Sequence, residues 1–282
     1  MIHMEKIKSL LSVIMFGIIF LGTEIVAYSI SLLYESNNDI EYARKLAYCV
    51  RYANEGDVEA FKMYMGLCYE VVPMTLFLTC LFLLIPVFIY TKKKKIVLFK
   101  KLPMIDYVQL YSIAVIINIV VSGVVEMLPK AWVTNYDNSI GYIENLSFFP
   151  LLLSTGICAP LIEEIFFRYL MVNKLKSKPI IAIIFPALLF GFAHGDIIQG
   201  SYAFILGMML SYLYIKTDNL LVPLILHIGI NTSSIIISAI PYSLSISLVI
   251  LCLLLSIFLC IKNKDFLNGI FYRKIIPLER KS

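Results

Sequence analysis

Charged residues are scarce in this chain. Asp, Glu, Lys and Arg make up only 15% of its 282 residues, whereas hydrophobic residues make up 60%, and the mean hydropathy is +0.86. A soluble domain of this size cannot cover so much apolar surface with so few polar side chains. The composition therefore excludes a soluble protein and predicts an all-α, polytopic integral membrane protein.

Several local signatures are also missing. The sequence has no cysteine pair with metal-binding spacing, no low-complexity tract and no detectable internal repeat. Its net charge of +5 comes from cations in the connections between apolar stretches and does not form a folded basic surface. We therefore do not expect nucleic acid as a partner. Four of the six cysteines lie in apolar stretches, where a thiol acts as a small hydrophobe, while Cys49 and Cys68 share one connection and could pair.

Eight apolar stretches are long enough, or nearly so, to cross a hydrocarbon core that needs about 20 residues. They are Leu10–Leu33, Val71–Tyr90, Tyr107–Leu128, Leu146–Met171, Ile180–Ala193, Tyr202–Ile215, Leu220–Ile240 and Leu244–Ile261. The fifth and sixth are short. The first is too long for a signal-peptide core and has no small-residue cleavage site behind it, so we expect a retained anchor.

Lysine and arginine concentrate in alternate connections between these stretches. One set comprises Lys6, Lys8, Lys92 to Lys95, Lys100, Lys101, Lys174, Lys176, Lys178, Lys216, Lys262, Lys264, Arg273, Lys274, Arg280 and Lys281. Because cytoplasmic loops carry the excess of these residues, we expect this side, with both termini, to be cytoplasmic. We divide the chain into an N-terminal membrane region (1–142) with an outer loop at 35–70, a core (143–240), and a last span with a basic tail (241–282).

The core contains ionised residues inside an apolar stretch, which is costly at bilayer depth and normally marks a site. At about 100° per helical residue, Glu164 and Arg168 share a face and should pair, whereas Glu163 points elsewhere. Without an internal cation, Glu163 has the setting of a general base that takes and returns a proton. Pro160 leaves a backbone carbonyl one turn earlier without its helical partner, which should loosen the helix there.

Two later stretches each carry a histidine with a partner four residues away. Phe190 and His194 share one face, and so do His227 and Asn231. At about 1.5 Å per residue from the expected cytoplasmic ends, Glu163, His227 and His194 lie roughly 12 to 20 Å deep, so they can meet.

Each of these features also has an ordinary explanation. A histidine or asparagine in a span often serves as an interhelical hydrogen bonder, and the Glu-Glu-Arg group could be a structural ion cluster. For Glu24, an ionisable residue in the first stretch, we expect a local hydrogen bond rather than a functional role. The joint occurrence of the cluster and two histidine pairs favours a catalytic site.

In residue type, order and spacing, the sequence Glu163-Glu164-x-x-x-Arg168, Phe190-x-x-x-His194 and His227-x-x-x-Asn231 resembles the three motifs of the CAAX-protease and bacteriocin-processing (CPBP) family. The similarity spans roughly Leu146 to Ala239. It implies an intramembrane glutamic endopeptidase in which Glu163 and His194 activate a water while His227 and Asn231 stabilise the oxyanion. Glu164 and Arg168 would hold their helix in register.

The resemblance implies a membrane-associated or lipid-modified peptide or protein as the substrate, and no cofactor. Zinc is the lower-ranked alternative, because adjacent glutamates diverge by about 100° and the soluble zinc-protease pattern His-Glu-x-x-His is absent. A non-catalytic bacteriocin self-immunity or adaptor protein is the alternative function. A transporter is less favoured still, because the two halves show no repeated, interrupted helices.

Overall fold

The computed structural model describes residues 2–264 and 268. Over these residues the chain is helical and contains no β-strand, which confirms the predicted all-α fold. The helices are α1 (Ile2–Asn38), α2 (Ile40–Ala53), α3 (Val58–Glu70), α4 (Val72–Lys94), α5 (Met104–Glu126), α6 (Lys130–Glu144), α7 (Phe148–Leu175), α8 (Pro179–Ala193), α9 (Ile197–Thr217), α10 (Leu221–Ala239) and α11 (Tyr242–Lys262). The predicted cations of the tail, Arg273, Lys274, Arg280 and Lys281, lie outside the described residues.

Six helices are long and apolar enough to cross a membrane, namely α4, α5, α7, α9, α10 and the Gly17–Asn38 part of α1. Helix α8 and the Ile246–Lys262 part of α11 are apolar but shorter. All eight predicted stretches are therefore helical and in the predicted order, as in a multi-pass integral membrane protein. The prediction of eight complete spans is not confirmed.

The sixth predicted stretch is longer than expected. Helix α9 begins at Ile197 because the Asp196 carboxylate accepts hydrogen bonds from the backbone N–H groups of Ile198 and Gln199, at 2.8 and 2.9 Å. Such a cap satisfies backbone donors that the first turn leaves without partners. The cap adds the first turn of α9, which carries Gln199 beside the candidate site.

Two connections between the predicted stretches are helical, although the sequence predicted only one short helix there, around Tyr42–Arg51. The outer loop at 35–70 forms α2 and α3, capped by Asp39 and Asp57, and the connection between α5 and α7 forms α6. The Tyr42 hydroxyl donates to the carbonyl of Leu67 at 2.9 Å and ties α2 to α3. The two cysteines of this region remain free thiols, so the disulfide that the sequence allowed is not formed.

Helices α8 and α9 approach each other closely beside the site. A Cβ atom on Gly191 would lie 2.7 Å from the carbonyl oxygen of Gly200, and one on Gly200 would lie 2.8 Å from the carbonyl oxygen of Gly191. Only glycine permits such contact between two backbones. The contact fixes the position of the last turn of α8, which carries Phe190 and His194.

Candidate active site

Helix α7 carries the charged cluster and departs from α-helical geometry on both sides of it. Ser154–Cys158 and Glu164–Val172 are π-helical, with the proline-containing turn Ala159–Glu163 between them. The widening before Pro160 agrees with the loosening expected from its missing N–H. Wider turns of this kind are frequent at functional sites.

Glu164 and Arg168 form the predicted ion pair. Both side chains are completely buried, and Arg168 Nη1 lies 3.0 Å from Glu164 Oε1. Arg168 Nη2 donates to the carbonyl oxygen of Gly207 on α9 at 3.3 Å. Its guanidinium carbon also lies 4.8 Å from the centre of the Phe190 ring, within the range of a cation–π contact. The pair therefore joins α7 to α8 and α9.

His227 of α10 contacts both glutamates. Its Nδ1 atom lies 2.8 Å from Glu164 Oε1, and its Nε2 atom lies 3.5 Å from Glu163 Oε2. A carboxylate accepts hydrogen bonds, so Nδ1 donates to Glu164 and the ring directs Nε2 at Glu163. The sequence predicted a neighbour other than Arg168 for Glu163 but did not identify it as His227. Unlike Glu164, the Glu163 side chain keeps 24% of its surface exposed.

His194 is held by its own helix. Its Nδ1 atom lies 2.7 Å from the carbonyl oxygen of Phe190, and because a carbonyl only accepts, Nδ1 carries the proton. With its hydrogen on Nδ1, the neutral form of the ring would offer Nε2 as an acceptor. The buried Phe190 ring meets both imidazoles edge to face, with centroid separations of 4.7 Å to His194 and 5.6 Å to His227. Phe190 thus packs against both histidines at once.

Asn231 lies one turn after His227 and donates from Nδ2 to the carbonyl oxygen of Thr155 at 3.0 Å. An amide nitrogen has two hydrogens, so one remains for another acceptor. Asn231, His227 and His194 line one cavity of about 180 Å³, which is room for several water molecules. Glu163 does not line this cavity.

The same cavity has polar walls that the sequence did not identify. Asn118, Ser122, Tyr136, Gln199, Tyr202 and Ser234 contribute to them. Tyr136 lies on α6 and packs edge to face against Tyr202, with 6.3 Å between centroids. These side chains come from four helices, so their proximity depends on helix packing and could not be predicted from local sequence spacing.

Glu24 lies on the face of α1 that packs against α7. Phe20, one turn earlier, stacks on Phe166 of α7 with 4.7 Å between ring centroids, and Glu24, four residues later, shares this face. The sequence marked Glu24 as an ionisable residue in a span but favoured a local hydrogen bond. This placement could not be deduced because the packing of α1 on α7 is not encoded in local spacing.

Comparison with known proteins adds an independent finding. The family model described as "Type II CAAX prenyl endopeptidase Rce1-like" matches residues 145–233. These residues form an Rce1-like domain. The domain contains all seven residues of the three motifs and confirms the resemblance to the CPBP family. Searches of the curated proteins and of the solved structures found no match.

The Rce1-like domain accounts for α7 to most of α10, and its family consists of CAAX-type intramembrane proteases in general. Within the described residues 2–264 and 268, no group of three or more His, Cys, Asp or Glu side chains is arranged to hold a metal ion. In the Rce1-like domain His194, His227 and Asn231 line one cavity, and Glu163 contacts His227.

Proposed function

We propose that this protein is an intramembrane endopeptidase that hydrolyses a peptide bond in a membrane-associated or lipid-modified peptide by means of a water activated by Glu163. The observation that carries the proposal is the different pairing of the two adjacent glutamates. Glu164 is buried against Arg168 at 3.0 Å, whereas among the described residues Glu163 has no lysine or arginine within ion-pair distance and faces His227 at 3.5 Å. A carboxylate next to an imidazole can accept and return a proton.

In the proposed reaction, Glu163 removes a proton from a water molecule whose oxygen forms a bond to the carbonyl carbon of the substrate. His194 orients this water through Nε2, the acceptor that its bond to Phe190 leaves available. The carbonyl oxygen becomes an oxyanion, which accepts hydrogen bonds from the second Nδ2 hydrogen of Asn231 and, in the form of His227 that carries a hydrogen on both ring nitrogens, from its Nε2–H. Glu163 then returns its proton to the leaving nitrogen as the carbon–nitrogen bond breaks.

Glu164 has a positioning role in this scheme. Because it accepts the Nδ1 hydrogen of His227 at 2.8 Å, it fixes the direction in which Nε2 points. Arg168 compensates the charge of Glu164 and anchors α7 to the backbone of Gly207. The arrangement supports Glu163 as the catalytic base and the neighbouring Nε2 of His227 as an oxyanion donor.

The test compares Glu163→Gln with wild type in purified, folded protein. The amide preserves the shape of the side chain but cannot take a proton from water, so cleavage should be abolished. Glu126→Gln makes the same chemical change at the exposed end of α5 and is the matched control. Probes are a prenylated CAAX peptide and a lipid-anchored peptide library in vesicles, with products identified by mass spectrometry.

Two results would reject the proposal. One is substantial turnover by folded Glu163→Gln. The other is failure of the wild type to cleave any probe, which would favour a non-catalytic binding role instead. Incorporation of ¹⁸O from labelled water into the new carboxyl group of the product would support attack by water rather than by a side chain.

A further inference from the structure

The two ends of the helix bundle differ in their cations. Twelve lysines lie at one end: Lys92 to Lys95, Lys100, Lys101, Lys174, Lys176, Lys178, Lys216, Lys262 and Lys264. The connections at the other end contain five cations, Arg44, Lys45, Arg51, Lys62 and Lys130. The α8–α9 and α10–α11 connections, which also lie at that second end, contain none.

Contacts between separate connections show that the lysine-rich end is one continuous face. Lys100 and Lys176 both bind the Asp218 carboxylate, at 3.0 and 2.8 Å, and the side chain of Asn219 hydrogen bonds to the backbone N–H and carbonyl of Lys100. Burial alone would raise the pKa of Asp218, but the hydrogen bonds from Lys176 and Lys100 outweigh it and hold that pKa below its ordinary value. Asn263, after α11, binds Asp106 at the start of α5 at 2.7 Å.

The cavity lies in the opposite half of the bundle. Helix α6, which joins the end of α5 to the start of α7, contributes Tyr136, Ile140 and Ile143 to its walls. Two further wall residues, His194 and Gln199, lie on either side of the α8–α9 turn. No described residue that lines the cavity belongs to the lysine-rich connections.

Distances along the helices give the depth of the cavity. His194 is 16 residues beyond Lys178, which is about 24 Å at about 1.5 Å per residue, in a hydrocarbon core of about 30 Å. His227 is 7 residues beyond Leu220, or about 10 Å from the same end. The cavity therefore runs from the middle of the bundle to the end that is poor in lysine.

From this arrangement we infer that the active-site cavity opens to the extracytoplasmic side and that the substrate is a peptide segment presented at that face of the membrane. The lysine-rich face is the cytoplasmic one by the bias that orients membrane proteins. A substrate that enters from the cytoplasm would have to pass the lysine-rich side, where the contacts of Lys100 and Lys176 with Asp218 join three connections. The inference rests on the proposed peptidase activity for its substrate, but the side of the cavity can be tested without it.

The side is tested by labelling intact cells with a thiol reagent that cannot cross the membrane. Trp132→Cys places a thiol on the exposed face of α6, and Lys94→Cys places one at the lysine-rich end. We expect several-fold stronger labelling of Trp132→Cys in intact cells and equal labelling after permeabilisation. Mass spectrometry of the labelled peptide separates each new thiol from the six native ones. Preferential labelling of Lys94→Cys would overturn the inference.

The substrate is tested with a fluorogenic, lipid-anchored peptide added outside intact spheroplasts that express the full chain. We expect cleavage from outside, and none with Glu163→Gln. A charged thiol reagent should block cleavage in Gln199→Cys, whose side chain lines the cavity, but not in wild type. Cleavage only after permeabilisation would overturn the inference and leave the peptidase intact. An absence of cleavage by solubilised protein would instead reject the proposed activity, and the labelling alone would then decide the side.

Discussion

Removal of either member of the buried ion pair should destabilise the protein strongly. Glu164 and Arg168 are both completely buried and lie 3.0 Å apart. Glu164 Oε1 also accepts from His227, and Arg168 Nη2 donates to Gly207. Among the described residues Glu164 Oε2 and Arg168 Nε have no hydrogen-bond partner, so the ion pair is the main compensation for both charges. Arg168→Met or Glu164→Gln should each cost about 3–5 kcal/mol, because each leaves a buried charge without its counter-ion. This is about two to four powers of ten in the unfolding equilibrium.

The double variant separates this explanation from a simple loss of packing. In Glu164→Gln combined with Arg168→Met neither charge remains, so the loss should be clearly smaller than the sum of the two single losses. Residues in direct contact typically show coupling of about 0.5–3 kcal/mol, and this pair should fall near the upper end. The measurement is the unfolding free energy of purified protein in mixed detergent micelles.

The chain contains a matched control for this cycle. Lys45 and Glu41 on α2 are also spaced i, i+4 and lie 2.8 Å apart, but their side chains are 50% and 76% exposed. The same cycle on that pair should give no measurable coupling, because water screens exposed charges. Equal coupling for both pairs, or additive losses at Glu164 and Arg168, would refute the reasoning from burial.

Three further predictions concern the site. Asn231→Ala should lower single-turnover cleavage by about 10²–10³ through loss of an oxyanion donor, with little change in peptide binding to the Glu163→Gln background; unchanged cleavage would exclude this role. Gly191→Ala should lower both melting temperature and activity, because its Cβ would meet the Gly200 carbonyl at 2.7 Å, whereas Gly123→Ala, with nothing within 4 Å, should change neither. Strong chelators should leave activity intact and metal analysis should find no stoichiometric zinc; loss of activity with recovery on zinc addition would establish a metalloenzyme.

Local spacing was sufficient for the parts of the site that one helix builds. The i, i+4 rule predicted the pair of Glu164 and Arg168, and it placed Phe190 with His194 and His227 with Asn231 on common faces. In the structure the first pair is formed, and Phe190, His194, His227 and Asn231 line one cavity. The pair and the two common faces follow from the geometry of single helices, whereas the shared cavity depends on packing between helices. The catalytic roles remain predictions.

Contacts between helices could not be predicted in the same way. His227 meets Glu164 across 63 positions of sequence, and nothing in the local pattern distinguishes this partner from another. Helices α3 and α6 were missed because they are short and lie between the long apolar stretches, where polar residues resemble those of a loop. The cap at Asp196 was a readable signal, and it would have corrected the start of α9.

The spacing of the two glutamates from Arg168 explains how one cation can serve a site with two carboxylates. Adjacent side chains diverge by about 100° on a helix, so the turn that buries Glu164 against Arg168 must direct Glu163 elsewhere. His227 then bridges them, with one ring nitrogen 2.8 Å from the compensated carboxylate and the other 3.5 Å from the uncompensated one. If the arginine stood at position 167, it would lie four residues from Glu163, neutralise the proposed base, and leave Glu164, which is buried and faces Nδ1 of His227, as the uncompensated carboxylate. The sequence Glu-Glu-x-x-x-Arg is thus directional, and an exchange of partners, with Arg168 moved to position 167 opposite Glu163, should abolish cleavage even in a variant that folds.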